Sequence, residues 1–187
     1  MKTVTVSFKL PEGIFTAPAQ EYEMLDKERF RSVYENWRKL SLELVSIGGR
    51  AINLPEGLSE GLFCIEMETL RVSQSIPRAN TSFDCYRESD HARIQVKACS
   101  VLPDLTSFGP KSVWDEIYFM DFYRDGKWDG TFDIYYIDSN LIYNHKVNNN
   151  ETFIDQQKAG KRPRLSIYDK IIRPLGLSPI KTGSIYL

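Results

Sequence analysis

Asp84, Gln95 and Lys97 are the residues whose types and spacing could do chemistry together. Hydrolysing a phosphodiester near neutral pH needs a divalent cation to neutralise developing charge and sharpen a water, and groups that hold that water in line. Magnesium takes hard oxygen ligands and keeps several waters. A carboxylate and an amide oxygen from adjacent strands supply half of such a cage, and an ammonium beside them can orient the nucleophile. In ARIQVKACSV, residues 92–101, side-chain alternation places Gln95 and Lys97 on one face and Ile94, Val96 and Ala98 on the other. In TSFDCYR, residues 81–87, Phe83 and Cys85 take the apolar face and leave Asp84 on the polar one. A symmetric turn at Ser89-Asp90 then sets residue 84 opposite residue 95, where facing Cβ atoms stand ~5 Å apart. The same residues also fit a plainer role. Asp84 and Lys97 could form an ion pair across an exposed sheet face, worth roughly a few tenths of a kcal/mol.

The elements that must position these groups are legible in part. KTVTVSFKL, residues 2–10, alternates as a strand, and a proline-containing loop is expected after it. Asp26 sits where an N-cap should, ahead of Phe30, Val33, Tyr34, Trp37, Leu40 and Leu44 at helical spacing, and Gly48-Gly49 stops that helix. In NLPEGLSEGLFCIEM, Pro55 or Ser59 could open a second helix, although Gly57 and Gly61 weaken it. Residues 81–87 and 92–101 read as two strands joined by a polar turn. IYFMDFYRDGKWDGTFDIYYI reads as an aromatic-rich hairpin turning at Arg124-Asp125-Gly126-Lys127. Gly160 and Pro163 argue against regular structure in IDQQKAGKRPR, and SIYDKII reads as a last helix before a tail punctuated by Pro and Gly. One α/β (α+β) domain over 1–187, with a central mixed sheet flanked by helices, is the expectation.

Composition narrows the classes. No stretch approaches the ~18 apolar residues of a membrane span, and the N-terminal residues alternate without an apolar leader core. Cys64, Cys85 and Cys99 are odd in number and lie in apolar stretches, which suits reduced buried thiols in a cytoplasmic protein. With no CxxC and only His91 and His145, far apart in sequence, a structural zinc site is not expected. No glycine-rich phosphate loop or nucleophile elbow is present, which removes nucleotide hydrolysis and triad chemistry. The net charge of −1 hides an asymmetry: residues 156–187 carry seven Lys or Arg against Asp169. A basic end on an acidic protein suits a polyanion held over part of the surface, or a solvated tail. From Asn144 to Arg164 the chain mixes Asn, Gln, Lys and Arg, residue types that pair with base edges and phosphates. Gln156, Gln157, Lys158, Lys161, Arg162 and Arg164 are therefore candidate DNA contacts, with a solvated loop as the alternative. Glu116, Asp121, Asp129 and Asp133 crowd near the aromatic hairpin, where an exposed strand face is expected more than a second metal site.

Asp84, a ten-residue gap and then Gln95-Val96-Lys97 resemble the PD-(D/E)XK nuclease superfamily, in the variant where glutamine replaces the second acid. The flanking NLPEGLSEGLFC, SFDCY, DLTSFGPKSVWDEIYF and FIDQQKAGKRPRLSI resemble small type II restriction endonucleases, so the likeness covers about residues 50–170. It implies a restriction-endonuclease-like fold and Mg²⁺-dependent, sequence-specific hydrolysis of double-stranded DNA. It implies Asp84 and Gln95 as metal ligands, Lys97 as the group that orients water, and a further carboxylate from the preceding helix. Glu60 is the first candidate for that carboxylate, with Glu56 and Glu43 behind it. Phe83 stands where the family has proline, and Gln95 brings no charge, so another acid such as Glu60 is needed. Cutting both strands of a palindrome with one site per chain implies a two-fold homodimer. A DNA methyltransferase of matching specificity is the implied functional partner. A structure-directed repair or junction nuclease, and an inactive DNA-binding module on the same fold, are the alternatives.

Overall fold

The computed structural model describes residues 1–186. Strands β1 (Lys2–Leu10) and β2 (Gly13–Glu21) form a hairpin, followed by helices α1 (Lys27–Ser46) and α2 (Glu56–Met67). Then come β3 (Leu70–Arg71), β4 (Cys85–Arg87), β5 (Ala92–Cys99), β6 (Thr106–Ser107), β7 (Glu116–Asp121) and β8 (Thr131–Ile137). The chain closes with α3 (Ser139–Tyr143), α4 (Phe153–Lys158), β9 (Arg164–Leu165), a π turn at Tyr168–Ile172, α5 (Arg173–Leu175) and β10 (Lys181–Ser184). Eight strands make one mixed sheet in the order β1-β2-β3-β4-β5-β7-β8-β10, while β6 and β9 pair separately.

The sheet is antiparallel except where β5 and β7 run parallel. A parallel pair cannot be joined by a tight turn and needs a crossover of a dozen or more residues. Residues 100–115 are that crossover, and they carry β6. Both faces of the central strands are covered. On one side Ile94, Val96, Tyr118 and Met120 pack with Leu58, Leu62 and Phe63 of α2 and with Tyr34 and Trp37 of α1. On the other, Cys99, Ile117, Phe119, Tyr135 and Ile137 pack with Ile142, Phe153, Ile167 and Ile171. A third cluster, Val6, Phe8, Leu10, Leu70, Phe83 and Tyr86, anchors the N-terminal hairpin.

The differences from sequence expectation have local causes. The proline-containing loop is strand β2, which meets β3 only at Gln20↔Arg71. Most of its outer side therefore has no ladder to interrupt, and Pro18 is tolerated there. The C-terminal tail adds β10 to β8, an edge pairing that polar Lys181–Ser184 does not advertise by alternation. Residues Phe153–Lys158 are helical, opened by a reciprocal Thr152–Asp155 capping box. The aromatic hairpin forms, but Phe122–Gly130 makes a longer connection than a tight turn, with Asp125 and Gly126 at positive φ. Asp26 precedes α1 as expected, yet its carboxylate serves the Glu23 N–H and the Met1 ammonium rather than the helix.

Two glycines of α2 separate packing from propensity. A Cβ at Gly61 would come 2.2 Å from the Phe30 ring, whereas at Gly57 it would meet only Arg71 Nη2 at 3.7 Å. Gly61→Ala is expected to lose about 1–3 kcal/mol by overpacking, while Gly57→Ala gains up to about 1 kcal/mol of helix propensity. Urea unfolding of both variants checks this, and matching signs would contradict it.

Candidate active site

The register of β4 on β5 builds the site. Cys85 pairs with Ile94, Tyr86 with Arg93 and Arg87 with Ala92. Asp84 lies just before β4, and its backbone N–H donates to the Ile94 carbonyl at 2.9 Å, one residue out of that register, so that Asp84 and Cys85 share Ile94. The Asp84 Oδ2 accepts the Val96 N–H at 2.8 Å and also the Gln95 side-chain amide. Ile94 and Val96 enter the core under α2, so Gln95 and Lys97 project to the opposite side of β5. Gln95 is only 2% exposed, and the Lys97 ammonium lies 5.3 Å from the Phe108 ring centroid. In place of the expected exposed sheet face there is a recess, in which Gln95 is buried and Asp84 and Lys97 are half-buried.

Asp84, Gln95 and Lys97 line a cleft of about 680 Å³ together with Glu56 and Glu60 from the first two turns of α2 and Arg162 before β9. Glu60 is 9% exposed and accepts a 2.5 Å bond from Arg71 Nε of β3. Burial first, and the Asp84 charge second, push the Glu60 carboxyl up to about 7 against the pull of Arg71. Burial likewise raises Asp84, opposed by the Lys97 charge and the Val96 N–H, with the Glu56 charge adding to the rise. Ionising both carboxyls therefore carries an electrostatic cost, which a cation in the cleft would relieve.

The donor set suits a hard divalent ion. Among the described residues no group of three or more His, Cys, Asp or Glu side chains forms a metal cluster. A cation in this cleft would find the Asp84 and Glu60 carboxylates, with Glu56 also on the cleft wall, an amide that can present its oxygen, and room for water, which is how magnesium is usually held. Glu43 is exposed on α1 and is not among the cleft-lining residues, whereas Glu56 is.

The candidate DNA contacts divide. Arg162 is exposed and lines the cleft, and Lys158 and Arg164 are also exposed. Lys161 pairs with Glu151, which also accepts from Gln156. Gln157 donates to the Gly109 and Ser112 carbonyls at 3.1 and 3.3 Å, tying the crossover to α4. Of Glu116, Asp121, Asp129 and Asp133 near the aromatic hairpin only Asp129 is exposed: Asp121 and Asp133 face each other at 2% and 8% exposure, and half-buried Glu116 is bound to Arg87 and Tyr118.

Two residues escaped the sequence reading. Arg71 lies in a two-residue strand with no motif around it. Asp104 takes the Ser166 hydroxyl at 2.6 Å and the Ile167 and Tyr168 N–H groups at 2.8 and 3.0 Å, fixing the crossover against the C-terminal helical turns. Only its place in an apolar stretch, VLPDL, could have flagged it.

Comparison with known proteins places the chain as a whole in a family. Residues 22–174 match the family described as Bsp6I restriction endonuclease. The type II restriction enzyme Bsp6I of Bacillus sp. (strain RFL6) is 32% identical over 166 residues, covering 86% of this chain and 90% of that enzyme. No solved structure matches.

A raised carboxyl pKa makes the folded protein favour the protonated acid. The penalty is absent below about 4.5 and grows as pH rises through about 7. Glu60→Gln should therefore raise the unfolding free energy from urea titration without added metal at pH 8 by about 1–3 kcal/mol, with the gain fading towards pH 5. Equal stability of the two proteins at pH 8 would deny the electrostatic strain.

Proposed function

We infer that this cleft is where the chain, which belongs to the Bsp6I restriction endonuclease family, cuts double-stranded DNA as a type II restriction endonuclease. The observation that carries the assignment is the convergence of Asp84, Gln95 and Lys97 with Glu60 in one cleft. Asp84, Gln95 and Glu60 would hold Mg²⁺, which when bound neutralises phosphate charge and makes a water more acidic.

The chain's own groups supply the rest. Asp84 cannot swing away, because the Val96 N–H grips one of its oxygens. Buried Gln95 adds a polar group without adding charge. Lys97 sits on the same face of β5, where its ammonium orients the attacking water and opposes charge on the phosphate. Arg162, on the cleft wall, is the first DNA contact, and exposed Lys158 and Arg164 extend a basic track from it. One cleft per chain and two strands to cut call for two copies about a two-fold axis. A methyltransferase of the same specificity would protect the host's own sites. Three free buried thiols suit a reducing cytoplasm, and among the described residues no helix is long and apolar enough to cross a membrane.

Plasmid DNA incubated with the protein should yield discrete fragments with Mg²⁺ and none with EDTA. Asp84→Ala and Lys97→Ala should each lower the cleavage rate by about 10²–10³-fold or more without loss of fold by circular dichroism. Cutting confined to branched or damaged DNA would overturn sequence-directed cleavage. Arg162→Ala is expected to weaken duplex binding in Ca²⁺ and to reduce the slope of log affinity against log salt by about 1. An unchanged slope would remove Arg162 from the phosphate contacts.

A further inference from the structure

The crossover from β5 to β7 carries an inverted pattern of exposure. Over Val101–Thr106 the apolar Val101, Pro103 and Leu105 are exposed, while Asp104 and Thr106 are buried and Leu102 packs on the second core cluster. Leu105 is 71% exposed and Val101 55%. An ordinary surface loop turns its polar residues to water, and scattered apolar ones need no explanation. Here three alternate positions face outward together, and all three line the cleft that holds Asp84 and Lys97.

The ridge is also held firmly. At its start the Trp128 indole N–H donates to the Ser100 carbonyl at 2.6 Å. At its end the Asp104 carboxylate collects Ser166, Ile167 and Tyr168, and Thr106 pairs with Leu165 in the β6–β9 ladder. Fixing exposed aliphatic groups in this way costs free energy unless something apolar covers them. In a cleft whose chemistry acts on a DNA backbone, the apolar surface within reach is the stacked bases and their edges. Aliphatic wedges of this kind enter base steps, unstack them and bend the duplex.

We propose that Val101, Pro103 and Leu105 form an apolar wedge, led by Leu105, that inserts against a base step beside the scissile phosphate and contributes to site selection through DNA deformation. This rests on the nuclease reading of the cleft. Sequence preference would arise because flexible pyrimidine–purine steps open more cheaply than stiff ones.

The test starts from a site mapped by sequencing the ends of a wild-type plasmid digest. Duplexes around that site, with 2-aminopurine placed at successive positions, are bound in Ca²⁺ by the wild type, Leu105→Gln and Leu105→Met. The wild type should raise fluorescence at one step near the cut. Leu105→Gln, similar in size but polar, should abolish that rise and weaken specific binding by about tenfold, with non-specific binding and thermal stability unchanged. Leu105→Met should keep both to within about twofold. Unstacking by Leu105→Gln equal to the wild type would overturn the wedge while leaving the nuclease intact. So would a Leu105→Gln defect that sedimentation traces to loss of self-association without DNA, since a second copy would then cover the ridge. Absence of cleavage by the wild type would remove the nuclease reading itself, and the wedge with it.

Discussion

The backbone pairing of Asp84 with β5 is the contact on which everything else depends. Its N–H bonds the Ile94 carbonyl, and its side chain bonds the Val96 N–H, at 2.9 and 2.8 Å. Main chain and side chain are thus fixed against the same strand. A slip of one residue would turn Gln95 and Lys97 into the α2 core and expose Ile94 and Val96. The apolar face therefore enforces the register, and the register places Gln95 and Lys97 in the cleft. Fold stability and site geometry are one constraint.

The parallel pairing of β5 with β7 has the second large consequence. It obliges the chain to leave Lys97 by a long route, and that route becomes one wall of the cleft. Asp104 and Gln157 then lock the wall to the C-terminal segment, so residues far apart in sequence end beside β5. Arg162 reaches the cleft because Leu165 and Arg164 pair with β6. The basic C-terminal segment is positioned by strand pairing and buried hydrogen bonds, not left as a solvated tail.

These facts explain what could be read from sequence. The 84–97 constellation was legible because alternation and a short symmetric turn are local properties, and the turn determined the register. The long helix α1 showed itself through spacing and its Gly48-Gly49 stop. By contrast, β2 and β10 depend on an edge being available, which no local pattern announces. Asp121 and Asp133 looked like an exposed face because acids in strands usually are. Their burial follows from β8 lying inside the sheet, with β10 beyond it and Thr182 bonding Asp133. Gln157 has the residue type of a base reader but serves carbonyls of the crossover, and only the fold could reveal that. Arg71 was invisible because its value lies in what it opposes, the buried Glu60 carboxylate.

The glutamine at position 95 follows from the charges around it. Glu56, Glu60 and Asp84 already line the cleft, and burial and mutual repulsion raise both Glu60 and Asp84. Position 95 is the most deeply enclosed of the reactive group at 2% exposure. A carboxylate there would have to ionise beside Asp84 with almost no water, and each such neighbour makes the next ionisation harder. The amide avoids that repulsion, donates to Asp84 in the metal-free protein and retains an oxygen that a cation could use. In the proposed site, negative charge for a cation would come from α2, where Arg71 balances Glu60. An amide rather than an acid at position 95 is thus matched to the proximity of the α2 acids, and the two features belong to one electrostatic solution.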